Sequence, residues 1–199
     1  MKSISDHQAF NRRQGFTLLE LMVVMGILAL ISAMAAPQLM SMIRESTVFE
    51  AGDRIREAMG EARRFAIDTG IDYQFRYEVD GNTIVVLPCE QELNLDESGT
   101  SSTTTEKYIR LMVEFPEELR LHGASLTQAT ERLDPALFGD LPGGALAQKS
   151  WSSPITFRFD GTSDTAEVRV SDANRLTCNV TVRSLTGSAR VSQVYQEEL

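Results

Sequence analysis

The chain has 199 residues, 42% of them apolar and 24% charged, with a formal net charge of −9. That length suits one domain plus an anchor, and the acidic balance argues against nucleic acid as the main partner, because phosphate binding needs clustered Lys and Arg. Two cysteines, Cys89 and Cys178, lie outside any CxxC or Cys/His cluster, which excludes the usual zinc frameworks.

The N-terminus departs most from this ordinary composition. Residues 1–15 carry Lys2, Arg12 and Arg13 against Asp6, so without them the remainder stands at −11. Arg12-Arg13-Gln14-Gly15 runs straight into Phe16-Thr17-Leu18-Leu19-Glu20, and the 23 residues 21–43 that follow hold no charge. A run of that length crosses about 30 Å of hydrocarbon as a helix. The basic pair ahead of it predicts a cytoplasmic N-terminus, with everything after the helix facing outward. An ordinary secretory signal would be cut after the apolar run, where Ala33-Met34-Ala35 offers a weak match. Here the basic stretch ends instead in a Gly that abuts the run. Glu20 is out of place near the start of such a helix, where an unpaired charge costs about 2–4 kcal/mol. Either it stays wetted at the interface, or it awaits a cation such as a freshly exposed α-amine on Phe16 of a neighbouring subunit.

Gly15-Phe16-Thr17-Leu18-Leu19-Glu20 resembles the processing motif of type IV prepilins and type II secretion pseudopilins. The resemblance implies that a prepilin peptidase/N-methyltransferase cuts between Gly15 and Phe16 and methylates the Phe16 amine. It also identifies Glu20 with the family's assembly Glu and Pro37 with the Pro common in its apolar helix. It further implies a structural subunit rather than an enzyme, with no cofactor. The implied partners are the peptidase, other pilins or pseudopilins and an inner-membrane assembly platform. The head would be periplasmic and the anchor single-pass in a bacterial inner membrane, before transfer to a filament.

Beyond Pro37 the helical pattern continues. Leu39, Met42, Ile43, Phe49, Ile55, Met59, Ala62, Phe65 and Ala66 recur at spacings that make one apolar face. Gly70 reads as the stop. The expected helix runs over 16–69, roughly 80 Å at 1.5 Å per residue, kinked near Pro37. The chain therefore divides into a leader (1–15), an apolar helix (16–43), an amphipathic continuation (44–70) and a β-rich head (71–199). The fold class is α+β, a long helix on an antiparallel sheet of hairpins.

Within the head, alternation predicts a first hairpin from 71–79 and 83–87, turning at Asp80-Gly81-Asn82. Residues 90–106 are polar and read as a loop. Strands are expected at 108–115 and 119–122, then a long connection over 123–153 with a short helix at 126–133. A second hairpin is expected from 155–160 and 166–170, and a third from 176–182 and 189–195. The alternation suits sheets with one buried face.

Three head segments also resemble the GspH/FimT branch of minor pseudopilins and minor pilins: Glu61-Ala62-Arg63-Arg64-Phe65-Ala66-Ile67, Ile155-Thr156-Phe157-Arg158-Phe159-Asp160-Gly161, and Gly187-Ser188-Ala189-Arg190-Val191. This implies a minor pseudopilin of type II secretion or, alternatively, a FimT-like minor type IV pilin serving pilus assembly, adhesion or DNA uptake. In some FimT-like proteins a late basic loop takes up DNA. Here Arg169, Arg175, Arg183 and Arg190 are scattered, and the chain ends Gln196-Glu197-Glu198-Leu199, which fits a solvated sheet face better. Asp160, Asp164 and Asp172 could offer oxygen ligands to calcium, but a hairpin turn explains the same residues. In an oxidising compartment Cys89 and Cys178 could form a disulfide; equally, they could be buried thiols. No G-x-S-x-G or phosphate-binding Gly loop occurs.

Overall fold

Helix α1 occupies Leu18–Thr69 without interruption. Leu, Met, Ala, Glu and Arg, all strong helix formers, dominate it, and it is capped at both ends. Gly70 closes it in the left-handed region at φ 72° and donates its N–H to the Ala66 carbonyl at 3.0 Å. The structure, a computed structural model, describes residues 16–89, 110–124 and 129–197. The leader, the 90–106 loop, the start of the 108–115 strand and part of the 126–133 helix lie outside the described residues. Two compact units divide the chain, Met1–Met42 and Ile43–Leu199.

In the first unit the described residues 16–42 are helical from Leu18 onward, and the helix continues through Pro37. The side chains described there are exposed.

The second unit is built on the rest of α1. Val48, Ala51, Ile55, Ala58, Met59, Ala62, Phe65 and Ala66 fall on one stripe at helical spacing, and all are buried. Two antiparallel sheets cover that stripe. The first has the order β3-β2-β1-β5, with β1 at Tyr73–Tyr77, β2 at Thr83–Pro88, β3 at Leu111–Glu114 and β5 at Ile155–Phe157. The second has the order β4-β6-β7-β8, with β4 at Arg120–Gly123, β6 at Ala166–Ser171, β7 at Leu176–Arg183 and β8 at Ser188–Val191. A short β9, Tyr195–Gln196, pairs the other end of β7. Tyr73, Phe75, Ile84 and Val86 of the first sheet meet Val168, Val170, Cys178, Val180 and Val182 of the second in one core with the helix. At Gly52 the helix passes close to the second sheet: a Cβ there would stand 2.8 Å from the Cys178 sulfur and 3.2 Å from Val191.

The first and third hairpins stand where alternation places them. The second does not form. Strand β5 pairs with β1, and β6 pairs with β4 and β7 in the other sheet. Between them Asp164 turns back on β5, accepting the Thr156 N–H at 3.0 Å and an Arg158 N–H at 2.7 Å. Backbone that would have continued the hairpin crosses between sheets instead.

Residues 129–153 are more than a connection. Residues 129–133 are not helical; Glu131 bridges to Trp151. A 3-10 turn at Pro135–Phe138 and a one-turn helix α2 at Gly143–Leu146 fold against β2. Trp151, Phe138, Leu146 and Leu133 bury Val85 and Leu87 in a second core. Strands β1 and β2 are therefore buried on both faces, where one buried face was expected. Arg76, itself buried, bonds Glu131 at 2.7 Å and the Ser152 carbonyl at 2.9 Å, so its charge is paired and the segment is held on the sheet. Lys149 adds bonds to Glu78 and Thr83, both at 2.7 Å.

Candidate assembly site

Thr17 sets the start of α1. Its Oγ1 accepts the Glu20 N–H at 3.2 Å, and its carbonyl accepts the Leu21 N–H at 3.2 Å. Thr17-Leu18-Leu19-Glu20 thus contains the N-cap bond of a capping box. The T-x-x-E spacing of Thr17 and Glu20 is a sequence signature of such a cap. The capping Thr17 directly follows Phe16 and the helix begins at Leu18, so Phe16 sits at the positive end of the helix dipole. Glu20 lies in the first turn, where that dipole favours an anion.

Phe16 is 83% exposed, and large apolar side chains from Leu18 to Ile43 are exposed in the same way. The most apolar window of α1 has a mean hydropathy of 2.4, and none of it is buried. A soluble monomer rarely exposes apolar surface on this scale. Lipid or neighbouring chains must cover it. Gly15 lies outside the described residues. Pro37 is placed in the helix, and its side chain is not described.

Cys89 and Cys178 are not joined by a disulfide. Cys178 lies in the core beneath Gly52, whereas Cys89 follows the last residue of β2 in the other sheet. Burial pushes the Cys178 thiol up, against a smaller opposing effect of hydrogen bonds with Ser192. It behaves as a small apolar side chain.

The acidic residues weighed as calcium ligands are occupied by their own turns. Asp160 accepts the Thr162 N–H at 2.9 Å and its hydroxyl at 2.7 Å. Asp172 accepts the N–H groups of Asn174 and Leu176 at 2.8 and 2.9 Å. Among the described residues no group of His, Cys, Asp and Glu is arranged to hold a metal ion.

The three head segments that carry the GspH/FimT resemblance meet at Arg63. Its Nε donates to the Gly161 carbonyl at 3.1 Å. Gly161 and Gly187 adopt φ 85° and 57° beneath it. A Cβ on Gly187 would stand 2.8 Å from both Arg63 Cδ and the Gly161 oxygen. Nothing in the spacing of these segments announced the clamp.

Residues 10–36 match the family described as the prokaryotic N-terminal methylation motif. The match covers the start of the chain, which thus carries a prepilin-type N-terminal methylation motif. The matched prepilin segment contains Gly15, Phe16 and Glu20 and spans the start of α1. Among solved structures this chain is similar to the minor pseudopilin EpsH from the type 2 secretion system of Vibrio cholerae. One EpsH structure aligns at 12% identity and TM-score 0.44, over 74% of this chain and 97% of that one. A second aligns at 13% identity and TM-score 0.45, over 77% and 99%. No curated protein sequence matches this chain.

Proposed function

We propose that the chain is a minor pseudopilin, a structural subunit of a type II secretion pseudopilus, assembled after cleavage between Gly15 and Phe16. The observation that carries this reading is the capped, wholly exposed apolar helix that starts at the methylation motif and holds Glu20 in its first turn. The precursor inserts with its leader in the cytoplasm and its head in the periplasm. Cleavage removes the leader charges and frees the Phe16 amine, which is then methylated. An ammonium at the positive end of a helix dipole is poorly placed, so it gains from a carboxylate partner. Glu20 of an adjacent subunit supplies one, and both burial costs are offset only when the helices are in register. Pro37 eases passage of the helix from bilayer to filament by removing one backbone donor. The meeting of the three branch-like segments at Arg63 supports placement in the GspH/FimT branch.

Glu20→Ala tests the register. The variant is expected to be cleaved and methylated like wild type yet to be missing from filaments; incorporation at the wild-type level would refute the pairing. A lesion in the gene separates the two filaments. Retained secretion cargo with intact surface pili supports a pseudopilin. Lost pili with normal secretion would make the chain a minor type IV pilin.

A further inference from the structure

Phe16 and Thr17 lie outside α1, which begins at Leu18. Two hydrogen bonds at this boundary decide where the helix starts. A helix beginning one residue earlier would send the Glu20 N–H to the Phe16 carbonyl, four residues back. The Thr17 hydroxyl takes that N–H instead, at 3.2 Å. The first regular helical bond then falls to the Thr17 carbonyl, which accepts the Leu21 N–H at 3.2 Å. The threonines inside α1 behave differently. Thr47 and Thr69 turn their hydroxyls back as donors to the Ile43 and Phe65 carbonyls, at 2.9 and 2.7 Å.

One further step of helix would reach the bond that has to be cut. The Leu19 N–H would go to the Gly15 carbonyl, and the Phe16 N–H would donate to a carbonyl of the leader. Hydrolysis needs both groups free. Water adds its hydroxyl to the Gly15 carbonyl carbon and a proton to the departing Phe16 nitrogen, and the bond between them breaks. A carbonyl engaged in a helix is closed to the donors that must stabilise its developing negative charge. Glu20 stands at the start of the apolar run, and backbone groups in hydrocarbon must find their partners within the chain. Without the Thr17 hydroxyl, the Glu20 N–H therefore gains most by taking the Phe16 carbonyl, and the helix advances toward the leader. Gly15 opposes the same advance, since glycine is a poor helix former.

We propose that Thr17 is a positioning residue for leader cleavage: it stops α1 short of Phe16 and leaves the Gly15–Phe16 bond outside the helix for the peptidase. The inference rests on the processing reading above. The methylation-motif match brackets this boundary, running over residues 10–36, and Phe16 itself is 83% exposed. Thr17 acts through the backbone. Any side chain that caps a helix can therefore replace it, and one of the same shape without an acceptor cannot.

The test follows leader cleavage of the full-length precursor in membrane vesicles that carry active peptidase, at limiting substrate. Thr17→Ser and Thr17→Asn keep an acceptor and are expected to be cut within about twofold of the wild-type rate. Thr17→Val keeps the shape and loses the acceptor. Its rate is expected to fall about fivefold, the change in competent population that one lost cap produces. In precursor free of peptidase, the Phe16 carbonyl chemical shift is expected to move toward helical values in the Val variant and to stay in place in the other two. Cleavage of Thr17→Val at the wild-type rate overturns the proposal. So does slow cleavage with an unmoved Phe16 shift, because the hydroxyl would then act on the peptidase. Slowing of the Ser and Asn variants to the Val level overturns it as well. A wild-type precursor that the peptidase leaves uncut before Phe16 would instead overturn the processing reading beneath it.

Discussion

Gly187 shows how much a single position can carry. Its φ of 57° disfavours any side chain, and the space a Cβ would need is taken by Arg63 Cδ and the Gly161 oxygen, each 2.8 Å away. Gly187→Ala is expected to destabilise the head by about 2–3 kcal/mol, read as a shift in denaturant midpoint with an unchanged slope. Unchanged stability would mean that the turn relaxes freely and that the clamp is weak. Asp164 works by charge. Burial opposes its ionisation, but hydrogen bonds from Arg158 and Thr156 outweigh that and hold its carboxyl below the ordinary 3.8. A lowered folded value means that its contribution is complete above the ordinary value and is lost as pH falls through the folded one. Exchange protection at the Thr156 amide should therefore be flat at neutral pH and fall below about pH 3.8. Loss of protection starting near neutrality would contradict the assignment.

At the level of elements, what the sequence makes legible is what local chemistry decides. Spacing places Ile55, Met59, Ala62, Phe65 and Ala66 on the buried α1 stripe, but Phe49, expected there, is exposed, and Val48, Ala51 and Ala58 take the buried positions instead; Gly70 ends the helix where a glycine stop is expected. Asp80-Gly81-Asn82 makes the first hairpin because turn residues and alternation agree. The 155–170 region has the same appearance, yet its strands part into different sheets. Pairing there is decided by a long-range competition, β1 for β5 and β7 for β6, that no local signal records. The 129–153 segment hides for a similar reason: its apolar residues are spread through turn-rich sequence and gather only around Trp151. That residue is fully buried, and its indole N–H donates to the Leu146 carbonyl at 2.8 Å. Trp151→Ala is expected to cost about 3–5 kcal/mol and to raise proteolysis within 129–153 before the α1 core opens. Cleavage elsewhere first would mean that the segment is not an independently released layer.

For the whole molecule, the division of labour follows from where apolar surface is spent. The second unit buries its apolar face in two cores of its own. The first unit buries none of its most apolar window, so its stability in any environment depends on what surrounds it. The candidate assembly site was the more legible part of the sequence, because a charge inside an apolar run and a glycine at its border are both anomalies that physics must explain. The Arg63 clamp was not, because an arginine among several on a helix looks like any other. The central claim is that the chain is a processed filament subunit. The most direct test is the mass of the N-terminal peptide recovered from membranes, with and without active prepilin peptidase. The account predicts a peptidase-dependent start at N-methylated Phe16. An intact Met1, or a start just beyond Ala35, would contradict it.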